Sequence, residues 1–596
     1  FGSSHERRRH AAACTGGGAG AMAASLAQAR CGGGCMADLG RCLQRLGEIC
    51  SEARHCGRGR ASVAPIIRER VLTGRDPDVL DIHKLLVCRD PGRAVNQSYC
   101  TVEALGSGGF GSVFRARHLK TGEERAIKVI PKPRDREKLR QVLMEVQLLI
   151  QLDHPNIMKF HEYFEDRRTI CMVTELCTGG NLGELDSNVD DPEDVRLLFR
   201  DVVGAVTYCH SEGVAHRDLK FENCLLSDKG RGQLRRIAKV IDFGLSAMRQ
   251  AGETEHRWMS EAVGSAYFIA PEVLRAGKGA TNGYGLECDV WSIGVMLYIV
   301  LTEQHPFVAS PTADRHEVFE SILHAPMRTE PLEESGVTPV VRDLLRRLLV
   351  KEPRRRASAR AALEHECFRP MAGGGNLPHV SSAGSAETAL ANRTPKVTTP
   401  SLRRTMGRIR SFAHFSRFEK AVLTLVAHEA NSREVEDLRA AFVSLDEARA
   451  GVLSRQGFRQ ALAGRKVGLP EEELEAVLDA LDPDGDGTIQ YTDFLAAAMR
   501  PSVLTSEKAM RATFSFFDVH GEGVVSLSDL AVVLGDDTAE GVIRQAKVAG
   551  DGTCGDISEI TWEEFQGLMR GVARRLEAER RGLVLNCAVP SPRSGG

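Results

Sequence analysis

The 596-residue sequence predicts an α+β fold class in two parts, a sheet-and-helix domain over 99–368 followed by an all-α domain over 430–570. Three observations predict it. Leu105 to Val113 reads LGSGGFGSV, Ala126-Ile127-Lys128 follows on an apparent third strand, and Glu145 falls on the next helical segment. Asp482 to Asp493 reads DPDGDGTIQYTD, a twelve-residue loop with cation-binding spacing, flanked by helical apolar positions at Leu474, Val477, Leu478 and Leu481 before it and Phe494 and Ala498 after it. Asp446 and Asp518 lie 36 residues to either side of Asp482 and open similar segments, and a repeat of that period predicts an array of four helix–loop–helix units.

Taken in order, residues 1–60 are rich in Gly, Ala, Arg and Cys and are expected to be disordered. Cys31, Cys35, Cys42, Cys50 and Cys56 in that segment fit the spacing of no metal module. Residues 61–98 form a lead-in, helical around Val63 to Val87, and 369–400 a Gly/Ser/Thr/Pro-rich linker that cannot bury a core. In 401–428, Arg403, Arg404, Arg408, Arg410 and Arg417 interleave with Met406, Ile409, Phe412, Phe415, Phe418, Val422 and Leu425 at steps of three or four, the pattern of one basic amphipathic helix. Residues 571–596 are a C-terminal tail.

Composition excludes some classes of function. With 78 basic against 80 acidic residues, bulk charge gives no support for a nucleic-acid partner. Sixteen cysteines scattered mostly as single residues indicate a reducing compartment without structural disulfides, so a cytoplasmic location is expected, with nuclear or membrane-associated pools allowed. The longest apolar run, Ser292 to Leu301, is too short for a membrane span, and a soluble monomer is expected. The chain begins at Phe1, so an N-terminal lipid signal is not read from it.

The loop chemistry follows from spacing. A hard cation such as Ca2+ takes six to eight oxygens, and Asp482, Asp484 and Asp486 supply positions 1, 3 and 5. Gly487 makes the turn, Thr488 offers its backbone carbonyl, Gln490 acts through water, and Ile489 stands where paired loops share a short strand. Asp493 holds position 12, normally a bidentate Glu, and its shorter carboxylate predicts weaker binding. The loop from Asp446 has Ala448, Ala450 and Gly457 at positions 3, 5 and 12 and reads as structural. The loop from Asp518 has Glu522, Gly523 and Asp529 but His520 at position 3, which leaves ion binding open. Asp551 to Glu564 is two residues too long if it begins at Asp551.

The chemistry of the first domain rests on motifs in order. Gly106, Gly108 and Gly111 let backbone amides approach phosphate oxygens, and Lys128 has Glu145 as its ion-pair partner. HRDLKFEN follows at His216 to Asn223, then Asp242-Phe243-Gly244. On these residues the chain resembles eukaryotic-type serine/threonine protein kinases over about 270 residues, which implies the two-lobed protein-kinase fold. The resemblance implies ATP held between Leu105, Val113 and a hinge at Glu175 to Cys177, with Thr174 at the gatekeeper position before it. It also implies Asp218 as acceptor of the substrate hydroxyl proton, Lys220 on the transferred phosphoryl group, and Asn223 with Asp242 as ligands of Mg2+. Ser265 in GSAYFIAPE is expected to bridge Asp218 and Lys220, Glu272 to pair with Arg356, and Asp289 to brace the catalytic loop. Thr254 and Ser260 are candidate phosphosites, with Glu253, Glu255 and Glu261 the alternative anions opposite Arg217.

Kinase, basic junction and EF-hand repeats in that order resemble the calcium-dependent protein kinase family over roughly residues 97–570. The resemblance implies protein substrates with Ser or Thr acceptors, and an intramolecular partner: a junction near Leu402 to Phe418 that inhibits the kinase until calcium draws it to the EF-hand domain. One loop at a hundredfold excess of calcium over its Kd supplies only ~2.7 kcal/mol, while a switch from 1:99 to 99:1 needs ~5.5 kcal/mol, so a second loop binds or the resting inhibition is mild. Two alternatives stay open: a calcium-insensitive kinase whose degenerate EF-hands dock a partner, and a pseudokinase scaffold.

Overall fold

The computed structural model describes residues 94–108, 111–185, 191–228, 236–249, 259, 261, 263–277, 283–310, 312–369, 399–430, 434–446, 451–464, 470–483, 485–518, 520–534, 539–544 and 559–578. Outside them fall the N-terminal segment, most of the lead-in and linker, residues 579–596 of the tail, Thr254, Ser260, Ala448, Ala450 and Asp484. Residues 571–578, expected as tail, instead continue the helix Trp562–Ala578 because Val572, Ala573 and Leu576 are buried. The described residues group into two compact units, one made of 94–176 with 399–578, the other of 177–369.

In the first unit, five antiparallel strands, β1 (Tyr99–Gly108), β2 (Gly111–His118), β3 (Glu124–Pro131), β4 (Phe160–Glu165) and β5 (Thr169–Glu175), lie in the order β1-β2-β3-β5-β4. Alternating apolar residues bury one face around Tyr99, Ala116, Ile127, Phe164, Cys171 and Val173. Helix α1 (Arg136–Gln151) starts at Asp135, whose carboxylate accepts from the amides of Glu137 and Lys138, and it buries Val142, Glu145, Val146 and Leu148 to Ile150. In β4 the register slips between Phe160 and Glu162, a bulge that leaves His161 as the extra residue.

The junction forms two helices where the apolar stripe predicted one. Helix α4 is preceded in chain order by α2 (Pro192–Ser211) and α3 (Glu287–Thr302) of the other unit; it spans Thr399–Ala413, and α5 spans Arg417–Glu429. The break is a capping box. Ser416 accepts from the Glu419 amide while the Glu419 carboxylate accepts from the Ser416 amide, and the hydroxyl so used competes with continuous helix. The stripe itself is continuous, with Leu402, Met406, Ile409, Phe412, Phe415, Phe418, Val422 and Leu425 all buried. Seven longer helices follow in the chain among the described residues, α6 (Glu436–Leu445), α7 (Arg455–Gly464), α8 (Glu471–Leu481), α9 (Tyr491–Ala498), α10 (Glu507–Phe517), α11 (Leu527–Leu534) and α12 (Trp562–Ala578). Helix α4 packs on α8 and α9, and α5 on α9 and α10.

In the second unit, α2 and α3 pack together beside the short ladders β6 (Val214–Ala215) with β9 (Ala247–Met248), and β7 (Cys224–Leu226) with β8 (Ala238–Val240). Helix α3 buries nearly every side chain, and no helix among the described residues is long and apolar enough to cross a membrane. His305 marks a titratable point in this core. Its Nε2 donates to the Tyr267 carbonyl (2.9 Å) and its Nδ1 accepts from the amides of Phe307 and Val308. Burial pushes the imidazole down to about 4, with Arg328 acting the same way and the Tyr267 carbonyl opposing. The unfolded chain therefore binds more protons than the folded one between about pH 6.5 and 4, and stability is lost as pH falls through that window. Replacing His305 by Asn is expected to flatten the acid limb of a denaturation profile there, by up to about 3 kcal/mol at pH 4. An unchanged slope refutes the assignment.

Candidate active site and calcium loops

The glycine-rich turn closes β1 onto β2, with Gly106 opposite Val113 and Gly108 opposite Gly111. Gly111 sits at φ +142°, and a Cβ there would meet the Val129 carbonyl oxygen at 2.2 Å, so only glycine fits. Leu105 is exposed on the same strand. On β3, Lys128 lies opposite Val113 on one side and Met172 on the other, and its Nζ donates to Glu145 of α1 at 2.6 Å. Thr174 and Glu175 end β5, where the Glu175 carboxylate accepts from the Lys159 amide (2.8 Å); Cys177, a half-buried thiol, begins the other unit.

The catalytic loop is held by Asp289 on α3. Its carboxylate accepts from the amides of His216 and Arg217 (2.8 Å each) and contacts His210 Nε2 (3.0 Å). Burial drives this carboxyl up, but the bonds from His210 and the His216 amide hold it below the usual carboxylate range. Arg217 is thereby fixed at φ +66°, a backbone region that non-glycine residues enter only under constraint. Its guanidinium donates to the Leu245 carbonyl and lies 3.7 Å from Glu261, one of the acidic residues expected as phosphate substitutes, the other two, Glu253 and Glu255, lying outside the described residues.

Asp218, Lys220, Asn223 and Ser265 converge. Lys220 Nζ bonds the Asp218 carboxylate and reaches Ser265 Oγ (3.2 Å), which donates to Asp218 Oδ1 (2.8 Å). Asn223 Nδ2 donates to the Asp218 carbonyl (2.8 Å) and carboxylate (3.2 Å), leaving the amide oxygen to accept. The Ile241 amide donates to the Asn223 carbonyl (2.9 Å), bringing Asp242 beside Asn223, and Asp242 takes φ +64°. A carboxylate and an amide oxygen on adjoining segments are the donors a hard divalent cation uses. Glu272 pairs with Arg356 as the sequence predicts.

In the EF-hand region, β10 (Leu453–Ser454) pairs with β11 (Thr488–Ile489), placing Ile489 opposite Leu453, and β12 (Val525–Ser526) pairs with β13 (Glu559–Ile560). Asp482 accepts from the Gly487 amide at 3.1 Å, and Gly487 takes φ +88° at the turn. Asp482 Oδ1 and Gln490 Oε1, positions 1 and 9, are buried without a hydrogen-bond partner, which is how oxygens stand when their partner is an ion or its water. Asp486 accepts from the amide and hydroxyl of Thr488, and Asp493 opens α9 as the only acidic residue of its first turn. The residues present fit a Ca2+ ion.

The other loops differ. In the third, Asp529 at position 12 accepts from the ring and amide of His520 and from the amide and hydroxyl of Ser526. For the fourth, Ile560 pairs with Val525, position 8 of the third loop, so Ile560 is position 8 of its own. Glu564 then holds position 12 and Thr553 position 1, which corrects the start at Asp551 and leaves positions 1, 3 and 5 without a carboxylate.

The protein kinase domain family matches residues 99–368, and the EF-hand domain pair family matches residues 435–499. Calcium-dependent protein kinase 14 of Oryza sativa subsp. japonica is 33% identical over 65% of this chain and 67% of its own length. Calcium-dependent protein kinase 4 of Plasmodium falciparum is 32% identical over 62% of this chain and 65% of its own length, and calcium-dependent protein kinase 2 of Oryza sativa subsp. japonica 32% over 65% and 68%. The chain belongs to the calcium-dependent protein kinase family. It is a serine/threonine protein kinase with a calmodulin-like EF-hand region.

Two contacts of this kinase had no signal in the sequence. Asp153, in the turn after α1, accepts from the Thr492 amide (2.7 Å) and hydroxyl (2.9 Å), so a residue of the sheet domain caps the helix that leaves the 482–493 loop. Arg455, which opens α7, places its guanidinium 3.3 Å from Asp482 Oδ2. An ion at that loop shares Asp482 with a resident cation.

The third loop gives a gain-of-function test. His520→Asp removes the base that occupies Asp529 and supplies the missing position 3 carboxylate. One additional calcium equivalent is expected by calorimetric titration of the full chain. An unchanged stoichiometry would mean that the loop backbone, not position 3, excludes the ion.

Proposed function

We propose that this kinase is switched on by calcium acting at Asp482 to Asp493 and inhibited at rest by the junction, α4 and α5. The observation that carries the reading is that α4 packs its apolar stripe on α8 and α9, the two helices that flank that loop. An ion that changes the angle between α8 and α9 changes the surface offered to Leu402, Met406, Ile409 and Phe412. Arg408 donates to the Ala498 carbonyl (3.2 Å) and Arg410 to Glu473 (2.6 Å), so the basic face of α4 is also engaged by this region. Release of α4 from these contacts is the inhibited condition we infer.

In the catalytic step, ATP with Mg2+ supplies the phosphoryl group and neutralises charge on its oxygens. Gly106, Gly108 and Gly111 would hold its phosphates by backbone amides, Lys128 oriented by Glu145 would pair with them, and Leu105, Val113, Thr174, Glu175 and Cys177 would hold the base. Asn223 and Asp242 would hold the Mg2+ ion. Asp218 orients the acceptor hydroxyl of a protein Ser or Thr and takes its proton, and Lys220 bears on the transferred group. The free thiols among the described cysteines support a reducing, cytoplasmic setting, in which we propose that the chain acts as a monomer.

Asp482→Ala is expected to remove most of the calcium-driven rise in phosphate transfer, measured with and without chelator. An unchanged rise overturns calcium control through this loop. The competing reading, docking without calcium, is favoured by Arg455 on Asp482 and predicts no heat of calcium binding by the full chain.

A further inference from the structure

A cluster of nitrogen and oxygen donors lies where the junction meets the kinase sheet. His161 of β4, His428 and Glu429 at the end of α5 bring one ligand atom each within 4.8 Å of one another. The imidazoles of His161 and His428 meet edge to face with centroids 5.4 Å apart. Both are buried. We propose that His161, His428 and Glu429 bind a zinc-type divalent transition-metal ion that staples α5 to the kinase sheet.

Three independent observations point to a ligand. Both ring nitrogens of His161 are buried and lack a hydrogen-bond partner, a cost no folded protein carries without return. His161 is also the bulged residue of β4, and bulges recur where a strand re-aims one side chain toward a site. His428 Nε2 donates to the His161 carbonyl at 3.4 Å, which orients its ring as outer bonds orient metal-ligating histidines. Two imidazoles and a carboxylate are a donor set for zinc rather than for calcium or magnesium, which take oxygen alone.

The surrounding charges are compatible with the ion. Arg125 donates to the Glu429 carboxylate (3.2 Å) and backbone carbonyl (3.3 Å), and Lys159 to the Ala427 carbonyl (2.8 Å). With Lys508, which pairs with Glu123 and Glu434, three cations face three carboxylates, Glu429, Glu123 and Glu434. Arg125 orients the Glu429 carboxylate, and the last turn of α5 adds the negative end of its dipole. Burial first, then Arg125 and His428, holds the His161 imidazole well below its ordinary value. Zinc at its usual bond lengths requires ligand atoms about 3.3 Å apart, so side-chain rotations of about an ångström close the site, with water as fourth ligand.

The test uses the full-length chain, stripped with chelator and then saturated with calcium so that the oxygen-lined loops are filled before zinc chloride is added. Wild type is expected to bind one zinc equivalent more than His161→Gln or His428→Gln, and its melting temperature to rise with zinc where theirs does not. Cobalt(II) at the same equivalent is expected to show visible d–d bands without the thiolate charge-transfer band that cysteine ligation gives. Equal zinc counts in wild type and both variants overturn the proposal, as does a thiolate-type difference spectrum. If neither variant folds, the wild-type cobalt spectrum alone decides: thiolate-free bands support the site, and their absence removes it.

Discussion

Asp218→Asn is expected to lower the rate of phosphate transfer by ~10²–10⁴-fold, the range that a positioned general base contributes. The carboxylate collects bonds from Ser265, Lys220 and Asn223, and an amide of the same shape keeps the space filled while losing the charge that draws a hydroxyl proton. Asp218 is not among the residues assigned to the nucleotide, so the KM for ATP should change little while kcat falls. Radiolabelled phosphate transfer with a melting curve on the same sample checks this. Equal rates in wild type and variant, both folded, would remove Asp218 from the chemistry.

What could be read from the sequence was chemistry carried by local spacing. Lys128, Glu145, the His216–Asn223 loop and Asp242 are separated along the chain by the elements that position them, so their order alone points to the geometry later found at Asp218, Lys220 and Ser265. Asp289 and the Glu272–Arg356 pair were legible for the same reason. The Leu453–Ile489 pairing followed from the position of Ile489 in its loop.

The misses are of two kinds. An apolar stripe at steps of three and four runs unbroken from Leu402 to Leu425, so periodicity reads one helix, and only the Ser416–Glu419 capping box betrays the stop between Ala413 and Arg417. The fourth loop's register is set by a partner strand, and no count from Asp551 reveals it. Asp153 and Thr492 are 339 residues apart, and neither has a local signature for the other. His161 and His428 carry no local signature for one another. Contacts between distant segments are the part of a fold that spacing does not encode.

Glu272→Gln is expected to cost ~3–5 kcal/mol of stability, the penalty for leaving a buried charge without its partner. The Arg356 side chain has 0% of its surface exposed, and its guanidinium donates to both Glu272 oxygens (2.6 and 2.9 Å) and to the carbonyls of Glu287 (2.7 Å) and Val350 (2.9 Å). It also lies over the Trp291 ring, 5.1 Å from the centroid. An exposed pair such as Arg360–Glu364 is worth ~0–1 kcal/mol because water replaces whichever partner is lost. No water reaches Arg356 in that way, so the desolvation already spent on the guanidinium becomes uncompensated. Marginal domain stability of ~5–15 kcal/mol makes this a large fraction, and denaturant unfolding should show it directly. Glu272→Met combined with Arg356→Met removes both charges, and the double variant is expected to be more stable than either single one. A double variant less stable than both singles would mean that packing against Trp291, not charge compensation, is what Arg356 supplies.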